Sequence, residues 1–260
     1  MKLILATYNI HRCHGRDGKR DPARTREVLR QLDADIVALQ EVELLRNQPG
    51  LLDYFCEGRS WTAIHGPTLE RANGQYGNAV LTSLPVRSVQ KFDISWGRHE
   101  PRGALDLALD HERISLRLLA THLGLWPAER RAQIKRLLAE LQAGLPGARH
   151  SDLTVLMGDL NEWFLWGRPL RMLARHFRPT PAPPTYPARR PMFALDRIWA
   201  HPRARLSAIR AISNRLTRQA SDHLPLVAEL TSPSPEYATQ DDRRDNDDAG
   251  HDGQHPQRPK

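Results

Sequence analysis

Short apolar runs in this sequence repeatedly end on side chains suited to acid–base or metal chemistry. The run Leu153-Thr154-Val155-Leu156-Met157 stops on Gly158 and is followed by Asp159, Leu160 and Asn161. Read as a buried strand, it aims Asp159 and Asn161 the same way from its carboxyl end, because side chains alternate across a strand. The pattern recurs. Leu3 to Tyr8 ends on Asn9, Ala34 to Gln40 on Glu41, and Ile114 to Thr121 on His122, while Ser221-Asp222-His223 opens the run Leu224 to Leu230. One polar strand end is ordinary; a set carrying carboxylates, amides and imidazoles points to a shared site.

Asn9, Glu41 and Asp222 are oxygen donors, and Mg²⁺ takes one or two carboxylates together with water and substrate phosphate oxygens. These three are the expected metal ligands, with Mn²⁺ able to substitute. Taken alone, Glu41 reads as an exposed loop carboxylate, and only its company changes that. His11, Cys13 and His14 form a crowded trio without a distant fourth ligand, which reads as a glycine-flanked loop rather than a zinc site. Phosphoester hydrolysis needs an attacking water, neutralisation of the phosphoryl oxygens and a proton for the leaving oxygen. Asp159 can orient or deprotonate the water, Asn161 can hold it and a phosphate oxygen, and His122 and His223 can stabilise charge or donate protons. Asp196 can orient a histidine from behind, but on the residues alone a salt bridge with a nearby arginine is preferred. There is no G-x-S-x-G elbow, G-x-x-x-x-G-K-[ST] phosphate loop or G-x-G-x-x-G fingerprint, so acyl transfer and nucleotide-driven motors fall away.

The elements that must position these groups are strands near 2–9, 35–40, 78–83, 103–109, 113–121, 153–158, 195–200 and 224–230. Asp21-Pro22 supplies a cap and a first-turn proline for a helix carrying Val28, Leu29 and Leu32. Pro127 starts another, whose Ile134, Leu137, Leu138 and Leu141 share a face before Gly144. A third, weaker helix covers Pro169 to His176. Several neighbouring strands lack a helix between them, so the sheets are expected to be mixed or antiparallel. Prolines at 179, 181, 183, 184, 187 and 191 make 179–191 an extended connector. From Ser232 the apolar residues disappear, which predicts one domain over 1–231 and a disordered polar tail over 232–260.

The 260 residues carry a formal charge of +8, and the seven acidic and four basic residues of 232–260 leave about +11 on the rest. That balance suits an anionic partner, nucleic acid or phospholipid, and equally serves solubility; only five of the 38 basic residues are lysine. Cys13 and Cys56 cannot build a disulfide framework, no run approaches the ~18 apolar residues of a membrane span, and the first apolar stretch is too short for a signal peptide. The expectation is a cytoplasmic protein with no transmembrane segment and no obligate protein partner. Trp163, Phe164, Leu165 and Trp166 follow directly on the Asp159–Asn161 pair. Packing onto the core is their expected role; exposed, they would place an apolar surface beside a phosphate site.

In family order, Thr7-Tyr8-Asn9-Ile10, Leu39-Gln40-Glu41-Val42, Thr121-His122, Gly158-Asp159-Leu160-Asn161, Leu195-Asp196-Arg197 and Ser221-Asp222-His223 resemble the endonuclease/exonuclease/phosphatase superfamily. Its members include DNase I, AP endonucleases, neutral sphingomyelinases and inositol polyphosphate 5-phosphatases. The resemblance spans roughly 2–230 and implies a DNase I-like α/β fold: a four-layer α/β/β/α sandwich with two mixed β-sheets and the site at one open edge. It implies that Asn9 and Glu41 are the metal-side pair, Asp159 and Asn161 the water and phosphate pair, and Asp222 a second metal or water-ordering carboxylate. His223 would be the essential catalytic histidine with Asp196 as its partner, His122 a second active-site histidine, and Asn78 and Arg102 substrate-phosphate contacts. Val42 after Glu41 and Glu162-Trp163 after Asn161 depart from the AP endonuclease pattern. The chain looks more like the DNase I, sphingomyelinase and small bacterial hydrolase side. The reading is a Mg²⁺-dependent phosphodiesterase acting on nucleic acid or phospholipid by in-line attack of an activated water. The alternative is a non-catalytic basic module that binds nucleic acid or anionic membrane.

Overall fold

The computed structural model describes residues 2–111, 114–145, 151, 153–177, 180–201 and 206–231. The strands are β1 (Lys2–Asn9), β2 (Ile36–Leu45), β3 (Thr62–Arg71), β4 (Gly74–Thr82), β5 (Val86–Asp93), β6 (Gly103–His111), β7 (Ile114–His122), β8 (Leu153–Asp159), β9 (Asp196–His201), β10 (Leu206–Ala211) and β11 (Leu226–Thr231). They form a six-stranded sheet in the order β10-β11-β1-β2-β4-β3 and a five-stranded sheet in the order β5-β6-β7-β8-β9. β1 runs parallel to β2, and β7 parallel to β8. Antiparallel pairs such as β1–β11 and β8–β9 make both sheets mixed, as expected. The helices are α1 (Pro22–Leu32), α2 (Leu51–Cys56), α3 (Pro127–Ala143), α4 (Arg168–Leu173) and α5 (Arg215–Ala220).

Alternation within each strand builds the layers. Leu3 and Leu5 of β1, Leu116, Leu118 and Ala120 of β7, Val155 and Met157 of β8, and Ile198 and Ala200 of β9 meet in the core between the sheets. Residues of opposite parity face outward under the helices. Ala6 and Tyr8 pack with Val28 and Leu29 of α1 and Phe55 of α2. Leu119, Leu156 and Trp199 pack with Ile134 and Leu137 of α3 and Leu170 and Leu173 of α4. The result is four layers, α/β/β/α.

The strands not anticipated from sequence, β3, β5 and β10, all lie at sheet edges. β5 alternates half-buried and exposed residues along its whole length, so it carries no apolar run to read. The helices not anticipated, α2 and α5, are six residues each, too short for a periodic signal. The expected third helix is α4, which stops at Leu173 rather than His176. The polar stretch 232–260 and Pro179 lie outside the described residues. Among the described residues no helix is long and apolar enough to cross a membrane.

Two local devices set the five-stranded sheet. Arg117 of β7 donates to both carboxylate oxygens of Asp106 on β6, at 3.1 and 2.6 Å, and to the Glu140 and Leu141 carbonyls of α3 at 2.9 and 2.8 Å. This buried fork pins the carboxyl end of α3 onto the sheet, where a cation also meets the negative end of the helix. Gly158 adopts φ +150°, and a Cβ there would lie 1.8 Å from the Thr121 carbonyl oxygen of β7. Only glycine allows the parallel register that sets Asp159 beside His122. We expect Gly158→Ala to destabilise the protein by about 3 kcal/mol or more, measured by urea unfolding; a loss within about 0.5 kcal/mol would show that this approach is not constrained.

Candidate functional site

The inward parity that buries Leu3, Leu5, Val155 and Met157 continues to Asn9 and Asp159 at the strand ends, and likewise to His122 and Asp196. The two sheets therefore deliver their terminal polar residues to one edge. Asn9 Nδ2 donates to Glu41 Oε1 at 3.0 Å and to Asp159 Oδ2, 150 positions away, at 3.1 Å. Its Oδ1 accepts the His11 N–H at 3.0 Å, which fixes the amide orientation. Asp159 Oδ2 lies 3.6 Å from His122 Nε2 and 3.6 Å from His223 Nε2. His223 Nδ1 donates to Asp196 Oδ2 at 2.8 Å. Asp196 is therefore a histidine partner; the arginine beside it, Arg197, donates from Nη1 to the Asp196 backbone carbonyl instead.

Glu41 reaches the site by a bulge rather than by alternation. The β2–β4 register shifts between Leu39 and Val42, and Glu41 takes φ 55°, a left-handed conformation that non-glycine residues rarely adopt. Gln40 beside it is wholly buried, exchanging hydrogen bonds with Thr7 Oγ1. Asn161 also differs from the expectation of simple strand alternation. β8 ends at Asp159, Leu160 turns into the core, and Asn161 takes φ 49° with its N–H donating to Asp159 Oδ1 at 2.9 Å. This Asx turn folds the amide back to the site. Asn161 Nδ2 donates to the Leu123 carbonyl at 2.9 Å and lies 3.0 Å from His122 Nε2. With one amide hydrogen spent on the carbonyl, the other points at Nε2, which must accept, so His122 is the neutral tautomer carrying its proton on Nδ1.

The two imidazoles are driven in opposite directions. Burial, then the positive charges of Arg102 and His223, push His122 down to about 3 against the pull of Asp159. Burial also opposes charge on His223, but Asp196 and Asp159 outweigh it and raise the group to about 10. One carboxylate oxygen thus faces a neutral histidine and an imidazolium at equal distance. Glu41 is pushed above its usual range by burial, and by Asp222 and Asp159, against hydrogen bonding from Asn9 and the charge of His11. Asp222 sits at the outer rim, its Oδ1 3.8 Å from His11 Nδ1 and its side chain 40% exposed.

Asn78, opposite the β2 bulge, is buried and donates to the Gly103 carbonyl at 3.1 Å, as does Thr121 Oγ1. Arg102 is buried, paired with Glu100, and its Nε has no hydrogen-bond partner among the described residues. A cavity of about 210 Å³ opens beside both, lined also by Thr68 and Lys91.

Ligand atoms of Asp159, Asp196 and His223 lie within 4.8 Å of one another, but the His223–Asp196 hydrogen bond at 2.8 Å and the His223–Asp159 ion pair at 3.6 Å account for that closeness. The better fit for a hard divalent cation is the oxygen-rich side, where Asp222 and Asp159 repel Glu41 and the Asn9 amide hydrogens occupy the gap between two carboxylates. His11, Arg12 and Cys13 instead make a turn with φ of 45, 54 and 62°, three successive positive-φ residues next to the site.

Sequence reasoning misses Ser221, whose Oγ donates to the Asn9 carbonyl at 2.8 Å and accepts the His223 N–H at 3.2 Å; its place before Asp222-His223 is the available signal. It also misses Tyr186, whose ring centroid is 4.9 Å from that of His223; nothing in the proline-rich connector marks it. The expectation that Trp163–Trp166 packs onto the core is corrected. Phe164, Leu165 and Trp166 are 59, 62 and 71% exposed, and Trp163 alone rests edge-on against Phe193 at 4.7 Å. The cause is Glu162: buried, it pairs with Arg130 of α3 at 3.2 Å and accepts the Phe164 N–H at 3.2 Å, so the loop is tethered by its base and its tip projects outward.

The Endonuclease/Exonuclease/phosphatase family matches residues 6–223. The uncharacterized protein YbhP of Escherichia coli is 32% identical over 226 residues, covering 79% of this chain and 86% of that protein. Among solved structures, an endonuclease/exonuclease/phosphatase from Beutenbergia cavernae superposes with TM-score 0.71 at 22% identity, over 88% of this chain and 71% of that one. One from Bacteroides vulgatus superposes with TM-score 0.72 at 17% identity, over 90% of this chain and 100% of that one. These two show the shared sandwich fold. With its motifs brought to one edge of that DNase I-like sandwich, the chain belongs to the endonuclease/exonuclease/phosphatase family, whose members are generally hydrolytic, typically divalent-metal dependent, and act on phosphodiesters.

Proposed function

We propose that the protein is a Mg²⁺-dependent phosphodiesterase whose catalytic domain spans 1–231 and which works in the cytoplasm. The observation that carries this reading is the convergence on Asp159 Oδ2 of Asn9 at 3.1 Å and of His122 and His223 at 3.6 Å each. A carboxylate so placed accepts the proton of an attacking water, which Asn161 helps to hold. His223, kept charged and oriented by Asp196, neutralises charge developing on a phosphoryl oxygen. His122, neutral and with Nε2 accepting from Asn161, stands near the leaving oxygen as the second active-site histidine. Arg102 and Asn78 contact the substrate phosphate at the flank, where the Arg102 Nε is without a partner among the described residues. Glu41 and Asp222 would hold Mg²⁺, or Mn²⁺ in its place, with Asn9 joining them through its amide oxygen once the cation replaces the amide hydrogens that now lie between Glu41 and Asp159; the ion would supply further charge neutralisation to the phosphate when bound. The free thiols of Cys13 and Cys56 support a reducing compartment.

Bis-p-nitrophenyl phosphate is expected to turn over with added Mg²⁺ or Mn²⁺ and not in excess EDTA; turnover that persists in EDTA would remove the cation from the mechanism. Asp159→Ala and His223→Ala should each lower kcat by at least ~10² with the circular dichroism spectrum retained, and a near-wild-type rate in either would exclude that residue. In the metal-free protein, an NMR titration should find His223 charged until about pH 10 and His122 neutral down to about pH 3. Because the His223 value is raised on folding, its charge contributes stability that is fully present below the ordinary imidazole range and is lost as pH rises through about 10. Asp196→Asn should move the His223 midpoint down by at least about one unit; an unmoved midpoint would separate Asp196 from the histidine's charge.

A further inference from the structure

The strands β5 to β9 lie side by side in that order, so the segments leaving the site edge line up beside one another: 94–102, 123–126, 160–167 and 180–195. These segments hold nearly all the exposed large hydrophobic side chains found among the described residues. Trp96, Leu125, Trp126, Phe164, Leu165, Trp166 and Met192 are 40 to 71% exposed, and Val89 is the main one elsewhere. The segments are joined rather than independent. His99 stacks on Trp96 at 5.4 Å and meets Trp126 at 6.2 Å. Buried Arg130 donates to the Leu125 carbonyl at 2.6 Å while pairing with Glu162. Trp163 contacts Tyr186 at 5.9 Å, and Tyr186 reaches His223. An apolar rim therefore runs along the edge and ends against the site.

Exposed arginines punctuate this rim: Arg98 follows Trp96, Arg168 follows Trp166, and Arg189 and Arg190 precede Met192. Three kinds of occupant can be weighed on that pattern. Base stacking would use the tryptophans but leaves Leu125, Leu165 and Met192, as exposed as the rings, without a role. A second copy related by a twofold axis would bring the same arginines against one another. Aromatic and aliphatic tips flanked by arginine match the boundary between acyl chains and anionic headgroups.

We propose that this edge docks on an anionic phospholipid bilayer. The rim enters the headgroup region, the arginines meet lipid phosphates, and the site faces headgroup phosphodiesters as its substrate class. That last step rests on the phosphodiesterase reading, whereas docking itself does not.

Flotation of the full chain with phosphatidylcholine vesicles, with and without phosphatidylglycerol, tests the proposal in EDTA, where turnover plays no part. Binding should require phosphatidylglycerol, shift tryptophan emission to the blue and weaken with salt. Leu165→Ser/Trp166→Ser should weaken it at least ~10-fold, and Arg168→Gln/Arg189→Gln less, while all four substitutions leave bis-p-nitrophenyl phosphate turnover within about twofold. Failure of the wild type to float, or undiminished flotation of the Leu165/Trp166 variant, overturns docking. So does a dimer in sedimentation velocity that this variant abolishes, or tryptophan quenching by a single-stranded oligonucleotide without vesicle binding. Loss of the phosphodiesterase reading would appear in the soluble-substrate assay alone.

Discussion

Apolar contact between the inner faces of the two sheets is the constraint on which the site depends. Leu3 and Leu5 on one sheet and Val155, Met157 and Ile198 on the other are buried in the same layer. Because strand side chains repeat every two residues, burying these positions commits Asn9, Asp159 and Asp196 to the same layer at its open end. A one-residue slip in either sheet would turn the carboxylates toward the helices. Gly158 serves this register by admitting the Thr121 carbonyl where any Cβ would collide with it. The two positive-φ residues Glu41 and Asn161 supply what alternation cannot, turning an additional carboxylate and an amide into the edge.

At that edge, hydrogen-bond geometry and burial do the chemical sorting. The same Asp159 oxygen is equidistant from two imidazoles, yet the groups around each ring differ: Asp196 behind His223, and the Asn161 amide and Arg102 charge around His122. Opposed protonation of paired groups is how one site supplies both an acceptor and a cation at neutral pH. Beyond them Asp222 and Asp159 repel Glu41, a repulsion that the proposed divalent cation would relieve.

The central strands are legible because they are continuous apolar runs bounded by polar ends, as in 153–158 and 113–121. The edge strands β3, β5 and β10 are not, since half of each faces solvent and their pairing comes from distant segments. Asp159, His223 and their companions can be picked out by type and position. Asp196 is ambiguous on its own, because a carboxylate beside Arg197 is equally suited to a local ion pair, and only the 27-residue reach to His223 resolves it. Apolar side chains are usually buried, which favours a core reading of the aromatic loop; its exposure depends on the Glu162–Arg130 pair, formed across 32 residues.

By itself the sequence determined the inventory: which oxygen donors and imidazoles stand at strand ends, and, through contiguous motifs, the family to which they belong. These are local properties, carried by residue type and by the two-residue period of a strand. Tertiary structure decided which histidine is charged, how Glu41 and Asn161 enter the site, and that the rim beside it faces outward. Each of these follows from desolvation and from partners far apart in the chain, such as Asn9 and Asp159, and those conditions do not exist until the two sheets have closed on one another.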